Sequence, residues 1–426
     1  MFANLKTKIA AFSDDRKSIL ALVGGTTIAQ GLNFLFAPIQ TRLFKPEVFG
    51  ELSVFISITG IISIIVCLRY ELAIVLPEEK DEGFSLLKLA ITFAALVSIP
   101  SLFVFGVFRT PIFEFFNAPG LAKYWYFVPL TLFLTGVVQA SNYWLTRERK
   151  FTILSYNKIL PVLAVNFVSI GLGFAGERAL IARLFSILVS NLVNISLLAW
   201  VIIPEFRIDR KSEYQNRDLL KKYKNFIVYD IWGALINNLS WMIVPILMNT
   251  FYGSFVAGQY SIGMRVIQLP ASVIGASIGQ VFYKSANERK NSKTLYKYTL
   301  SIIKKLFVFT SPFAIILLIF GKVIFTKVFG QEWELAGKYV QILAPWAIVW
   351  FISSPISSIY PVFMKQNISL ITSSLNLITR FGALYIGSVY KMEILGLILF
   401  SFSGIIVNCL SLFLCIKITK HNDKEI

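Results

Sequence analysis

The stretch "FVAGQYSIGMRVIQLPASVIGASIGQVF", residues 255–282, is long enough to cross a bilayer as a helix, yet it carries Arg265 near its middle. No acidic residue lies between Asp230 and Glu288 to neutralise that charge. An ionisable side chain at membrane depth carries an insertion penalty of about 2.5–3.5 kcal/mol, so it faces protein or water instead of lipid. Ser261, Arg265 and Gln268 recur at i, i+4 and i+7 with Gln259 near the same face, whereas Ile262, Val266 and Ile267 take the opposite side. The pattern predicts an amphipathic membrane helix whose polar stripe borders an interior cavity. Arg265 is then either a cavity-lining cation for an anionic substrate or a structural guanidinium bonded to carbonyls of a segment unwound near Pro270.

The rest of the chain has the same character. Of its residues 56% are hydrophobic and only 15% are charged, too few to cover a water-soluble globule of 426 residues. Apolar runs of bilayer length recur at approximately 17–41, 47–68, 84–108, 124–146, 151–175, 179–203, 226–249, 255–282, 303–328, 339–363, 366–389 and 394–416. The expected fold class is therefore an all-α integral membrane protein of about twelve transmembrane helices. Ser13-Asp-Asp-Arg16 reads as an N-cap with acids in the first turn.

A net charge of +18 could suggest nucleic acid, but the placement of the charge is topological. Lysine and arginine crowd alternate loops, as in Arg147-Glu-Arg149-Lys150, the 204–225 loop and the 284–302 loop, and are sparse in the loops between. By the positive-inside rule both termini are expected to lie in the cytoplasm. No nucleic-acid partner is expected. Cys67, Cys409 and Cys415 lack metal-ligand spacing and read as small hydrophobes, and the single histidine, His421, lies in the hydrophilic tail. No catalytic set, metal site or cofactor is expected, apart from a coupling ion.

Two segments resemble each other: "NFLFAPIQTRLFKPEVFGELSVF" (33–55) and "SWMIVPILMNTFYGSFVAGQYSIG" (240–263). Pro38 precedes Phe44 as Pro245 precedes Phe251, and Gly50-Glu-Leu-Ser53 matches Gly258-Gln-Tyr-Ser261. This internal repeat predicts two six-helix bundles, 1–212 and 213–426, related by a pseudo-two-fold axis along the membrane normal, with substrate between them.

Further polar residues sit at membrane depth. Arg380 has Asn376 at i−4 and so repeats the Arg265 pattern, and Arg183 lies near a span end, where snorkelling is expected. Glu51 and Asp230 each stand one turn into a span, either complementing a helix N-terminus or serving as a coupling site for H⁺ or Na⁺. Asn33 and Asn237, among other amides, suit either sugar hydroxyls or bonding between helices. More intramembrane cations than anions favours a negatively charged cargo such as a phosphate or pyrophosphate headgroup.

Four segments carry a resemblance to a known family: "LRYELAIVLPEEKDEG" (68–83), "SNYWLTRERKF" (141–151), "KYKNFIVYDIWGALINNLS" (222–240) and "GSFVAGQYSIGMRVIQLPASVIGASIGQVFYKSANE" (253–288). Together they resemble the bacterial polysaccharide (O-antigen and exopolysaccharide) lipid-linked oligosaccharide flippases of the multidrug/oligosaccharidyl-lipid/polysaccharide exporter superfamily. The resemblance implies two bundles around a cationic cavity and alternating access. Its cargo would be an undecaprenyl-pyrophosphate-linked glycan, with membrane lipid, a polysaccharide polymerase and a chain-length regulator as partners. It implies that Arg265 and Arg380 are lumen cations, that Arg42 guards the external mouth, and that the Arg69-Tyr-Glu71 turn is a cytoplasmic gate or loop anchor. Two apart on a helix, Arg69 and Glu71 would face different ways and pair with other loops. The competing classes are a multidrug antiporter of the same superfamily, which would need intramembrane carboxylates, and a membrane glycan polymerase, which would need a catalytic external loop.

Overall fold

The computed structural model describes residues 24–177, 179–206 and 216–425. The N-cap read at Ser13-Asp-Asp-Arg16, the first residues of the 17–41 span, the bases Arg207, Arg210 and Lys211 and the boundary at 212/213 lie outside the described residues.

The described chain is helical and contains no strand. Its long helices are α1 (24–43), α2 (Pro46–Ser63), α3 (Lys80–Val107), α4 (Phe127–Arg147), α5 (Phe151–Phe174) and α6 (Leu180–Phe206). They continue as α7 (Ile231–Tyr252), α8 (Ser254–Pro270, extended through a π turn at Ala271–Gly275 into Ala276–Arg289), α9 (Leu295–Val328), α10 (Glu334–Ile356), α11 (Gln366–Val389) and α12 (Glu393–Glu425). Each corresponds to one apolar run. Among the described residues eight helices are long and apolar enough by composition to cross a membrane. Helices α1, α4, α8 and α11 fall outside that set, and each carries polar residues (Gln30 and Asn33; Gln139 and Asn142; Arg265 and Gln268; Asn376 and Arg380) that dilute its hydropathy. Large apolar side chains such as Ile99, Phe103, Phe174, Trp200, Val308 and Phe402 stay exposed, as a lipid-facing surface requires.

The charged stretch 284–302 is not the long loop its polarity suggested. Only residues 290–294 break the helix, and α9 begins at Leu295 and runs for 34 residues, about 51 Å at 1.5 Å per residue. Lysine and leucine favour helix, so the chain keeps its hydrogen-bonded backbone past the point where the side chains turn polar.

Packing groups the described helices into two compact units. Among the described residues the first comprises 24–36, Thr59–Ile112, 122–177, 179–206 and 216–234, and in it α3 packs on α4, and α5 and α4 on α6. Tyr70, Leu87, Val128, Leu132 and Trp144 are fully buried in this unit. The second comprises Ala37–Ile58, Phe113–Leu121 and 235–425, and in it α8, α9 and α12 pack around α10, and α11 packs on α12. Phe282, Leu306, Ile356, Tyr360 and Cys415 belong to one of its cores. The division into 1–212 and 213–426 follows the repeat along the chain, whereas packing draws 37–58, most of the first repeat copy, into the unit built mainly from the second.

Within this second unit the two repeat copies touch. A Cβ added at Gly50 would overlap the Ser254 backbone, and one added at Gly258 would overlap the carbonyl of Pro46. Ser254 stands four residues before Gly258, and Pro46 four before Gly50. The contact is thus reciprocal, and only hydrogen at both Cα positions lets the backbones come so close.

Candidate functional site

Helix α8 carries the stripe seen in the sequence. Ser261, Arg265 and Gln268 are partly exposed, and Ile262, Gly263, Met264, Val266 and Ile267 between them are buried. Past Pro270 the π turn rotates the helix, and the same face continues through Ser272, Gly275, Gly279 and Tyr283. From Gln268 onward it lines an open cavity of about 620 Å³ within the second unit, bordered also by Trp241 of α7 and by Trp350 and Ser354 of α10. Arg265 stands one turn before Gln268. Among the described residues its guanidinium has no hydrogen-bond or ion-pair partner.

Arg380 occupies a different environment from the cavity position the sequence suggested. It is 2% exposed, and its guanidinium carbon lies 4.3 Å from the Trp241 ring centroid, 5.4 Å from Phe400 and 5.9 Å from Trp346. It donates to the carbonyl of Ser240, and its Nε has no partner among the described residues. Trp241 in turn lies 5.1 Å from Trp350, which stacks on Trp346 at 5.6 Å. Arg380 therefore packs against Trp241, one of the two indoles that line the cavity.

Several other expected site residues are held by neighbours. Gln259 is a correction to the polar-cavity set: fully buried, it donates to the Glu332 carbonyl at 2.6 Å and accepts from Ala336 N–H at 2.9 Å, tying α8 to the start of α10. Ser261 donates to the Ala257 carbonyl of its own helix. Asn33 accepts from Asn166 of α5, a bond between helices. Asn376 donates to the Thr372 carbonyl, and Asn237 is exposed one turn before Trp241. Arg42 is exposed and donates to the carbonyl of Lys327, where its charge complements the C-terminus of α9. Arg183, expected to snorkel, is instead buried and donates to Ser169 at 2.7 Å.

Both candidate coupling acids have partners. Glu51 accepts from the Gly120 N–H at 3.2 Å, an acid placed at the start of the short turn Pro119–Tyr124. Asp230 is exposed and accepts from Arg69 Nε at 2.6 Å. Arg69 has φ 65°, in the left-handed region, just before the short helix Tyr70–Ala73. That bend lets one guanidinium reach both Asp230 and, at 3.5 Å, Glu71, which corrects the expectation that the two face apart. Burial holds the Glu71 carboxyl above the ordinary carboxylate range.

Around this turn the first unit assembles a charged layer that sequence spacing did not reveal. Arg147 donates to the carbonyls of Ile74, Pro77, Glu78 and Glu79, clamping the "LPEE" bend. Lys80 lies 2.9 Å from Glu205 and 3.4 Å from Glu148. Lys222 and the Tyr223 hydroxyl both donate to Glu82, at 2.6 and 2.9 Å, and the Glu82 hydrogen bond raises the Lys222 pKa.

The all-helical fold, with Pro100, Pro161, Pro245 and Pro270 accommodated inside its helices, is the fold seen in solved transporters of the MOP superfamily. The chain belongs to the family described as polysaccharide biosynthesis protein, whose model matches residues 39–337. It is 23% identical over 234 residues to the teichuronic acid biosynthesis protein TuaB of Bacillus subtilis, a match covering 53% of this chain and 46%, or about half, of that relative's length. Among solved structures it is similar to a multidrug resistance MATE family transporter of the MOP superfamily in an inward-facing conformation (TM-score 0.75, 17% identity, 93% of this chain and 96% of that one). It is also similar to the lipid II flippase MurJ in an inward closed conformation (TM-score 0.66, 16% identity, 97% of this chain and 87% of that one).

Proposed function

We propose that this multi-pass membrane transporter is a flippase. Its cargo is an undecaprenyl-pyrophosphate-linked oligosaccharide repeat unit, which it turns from the cytoplasmic to the outer leaflet of the bacterial plasma membrane by alternating access, for O-antigen, capsule or exopolysaccharide synthesis. Both termini are then cytoplasmic. A polysaccharide polymerase and a chain-length regulator act beside it. The observation that carries this reading is Arg265: a partly exposed guanidinium at membrane depth, without a partner among the described residues, on the helix face that leads into a cavity. An unpaired guanidinium in such a place favours an anionic headgroup, which its planar fork can bind bidentately.

The multidrug antiporter reading is weaker. A cationic drug needs a carboxylate free to receive it, and Glu51 and Asp230 are both engaged, with Gly120 and with Arg69. Coupling to H⁺ or Na⁺ through either acid would require that engagement to break.

The test is complementation of an export-null strain. Arg265→Ala should insert normally and stop surface glycan, and Arg265→Lys should restore part of it, since charge persists without the bidentate fork. Full surface glycan from Arg265→Ala would end the cavity-cation reading.

A further inference from the structure

The cavity beside α8 has a composition of its own. None of the residues that line it carries a charge at neutral pH, so a pyrophosphate placed here would be unpaired. The lining instead alternates flat aromatic faces with amides and hydroxyls: Trp241, Trp350, Tyr283, Gln268, Gln280 and Ser354. The two indoles lie 5.1 Å apart at 58°, so they form an angled wall instead of a stacked pair. Gln268 and Gln280 make no hydrogen bond among the described residues, and each carboxamide keeps a carbonyl acceptor and two N–H donors. Between these side chains, Gly275 and Gly279 bring bare backbone to the α8 side of the cavity. At about 620 Å³ the space falls in the range of about 300–1,000 Å³ typical of ligand sites.

An apolar ligand would leave these amides unsatisfied, and an ion would find no countercharge. A neutral pyranose satisfies both demands, because its ring presents a C–H face to indole and hydroxyls at the rim to amides. We propose that this cavity is a sugar subsite that takes one or more neutral hexose rings of the cargo glycan. Arg265, one turn along the same helix, stands where the acidic end of such a ligand would lie. The assignment of the sugar to the transported cargo rests on the flippase reading above; the sugar chemistry of the cavity does not.

The experiment uses full-length protein in lipid nanodiscs and saturation-transfer NMR with chitotriose and maltotriose as probes. The expected result is transfer to ring C–H protons of at least one of the two sugars, saturable at millimolar concentration. Gln280→Leu, at an exposed position, should weaken the binding about fivefold through the loss of one hydrogen-bonding group. Trp350→Leu should abolish transfer. No transfer from either sugar, or transfer unchanged in Gln280→Leu, overturns the subsite. If the subsite fails while Arg265→Ala still stops export, the flippase reading stands without it. If sugar binds as expected while the wild-type chain fails to restore surface glycan in the export-null strain, the subsite stands and the flippase reading falls.

Discussion

The crossing at Gly50 and Gly258 gives a quantitative test of the packing. A methyl group at Gly50 would stand 2.6 Å from the Ser254 carbonyl carbon and 2.8 Å from its Cα, and one at Gly258 would stand 2.7 Å from the Pro46 carbonyl carbon. Carbon atoms rest about 3.5–4 Å apart, so α2 and α8 must separate by about 1 Å to admit either methyl. Backbone cannot swing aside as a side chain can, and overpacking of this kind costs about 1–3 kcal/mol. Gly258→Ala and Gly50→Ala should each lower stability by that amount in reversible SDS unfolding of the full-length protein, followed by tryptophan emission. The two methyls press on the same crossing, so a separation forced by the first makes room for the second. The double variant should therefore cost about as much as one single variant, not the sum. Additive costs, or single costs below about 0.5 kcal/mol, would refute the close contact.

Three further predictions follow from individual side chains. Arg380→Met should leave stability within about 1 kcal/mol, because the lost cation–π contacts and hydrogen bond offset the relief of a buried charge, whereas Arg380→Ala should cost about 2–5 kcal/mol by opening a void among Trp241, Trp346 and Phe400; the same unfolding titration checks both. Glu51→Gln keeps an acceptor for the Gly120 N–H, so folding should survive. Export that then stops responding to an imposed pH or Na⁺ gradient would assign the coupling to Glu51, and an unchanged response would remove it. Asp230→Asn removes an exposed ion pair with Arg69 and should cost no more than about 1 kcal/mol in SDS unfolding.

Membrane class and helix number were legible in the sequence because a bilayer imposes a length and an apolar composition on each span, whatever the span packs against. The Arg265 stripe was legible for the same kind of reason: helical periodicity alone places Ser261, Arg265 and Gln268 on one face. The rest of the cavity was missed because the stripe was read only to Gln268; continued at the same spacing past Pro270, it would have reached Ser272, Gly279 and Tyr283. What Gln259 and Arg380 do was not legible. Both share the residue types of a polar lining, yet one is fixed by the start of α10 and the other by three aromatic rings from α7, α10 and α12. Likewise only tertiary structure brought Asp230 to Arg69 and Gly258 to the backbone of Pro46. Periodicity within one helix sets which side chains share a face; which neighbour covers that face depends on contacts between residues distant along the chain, and no local pattern encodes them.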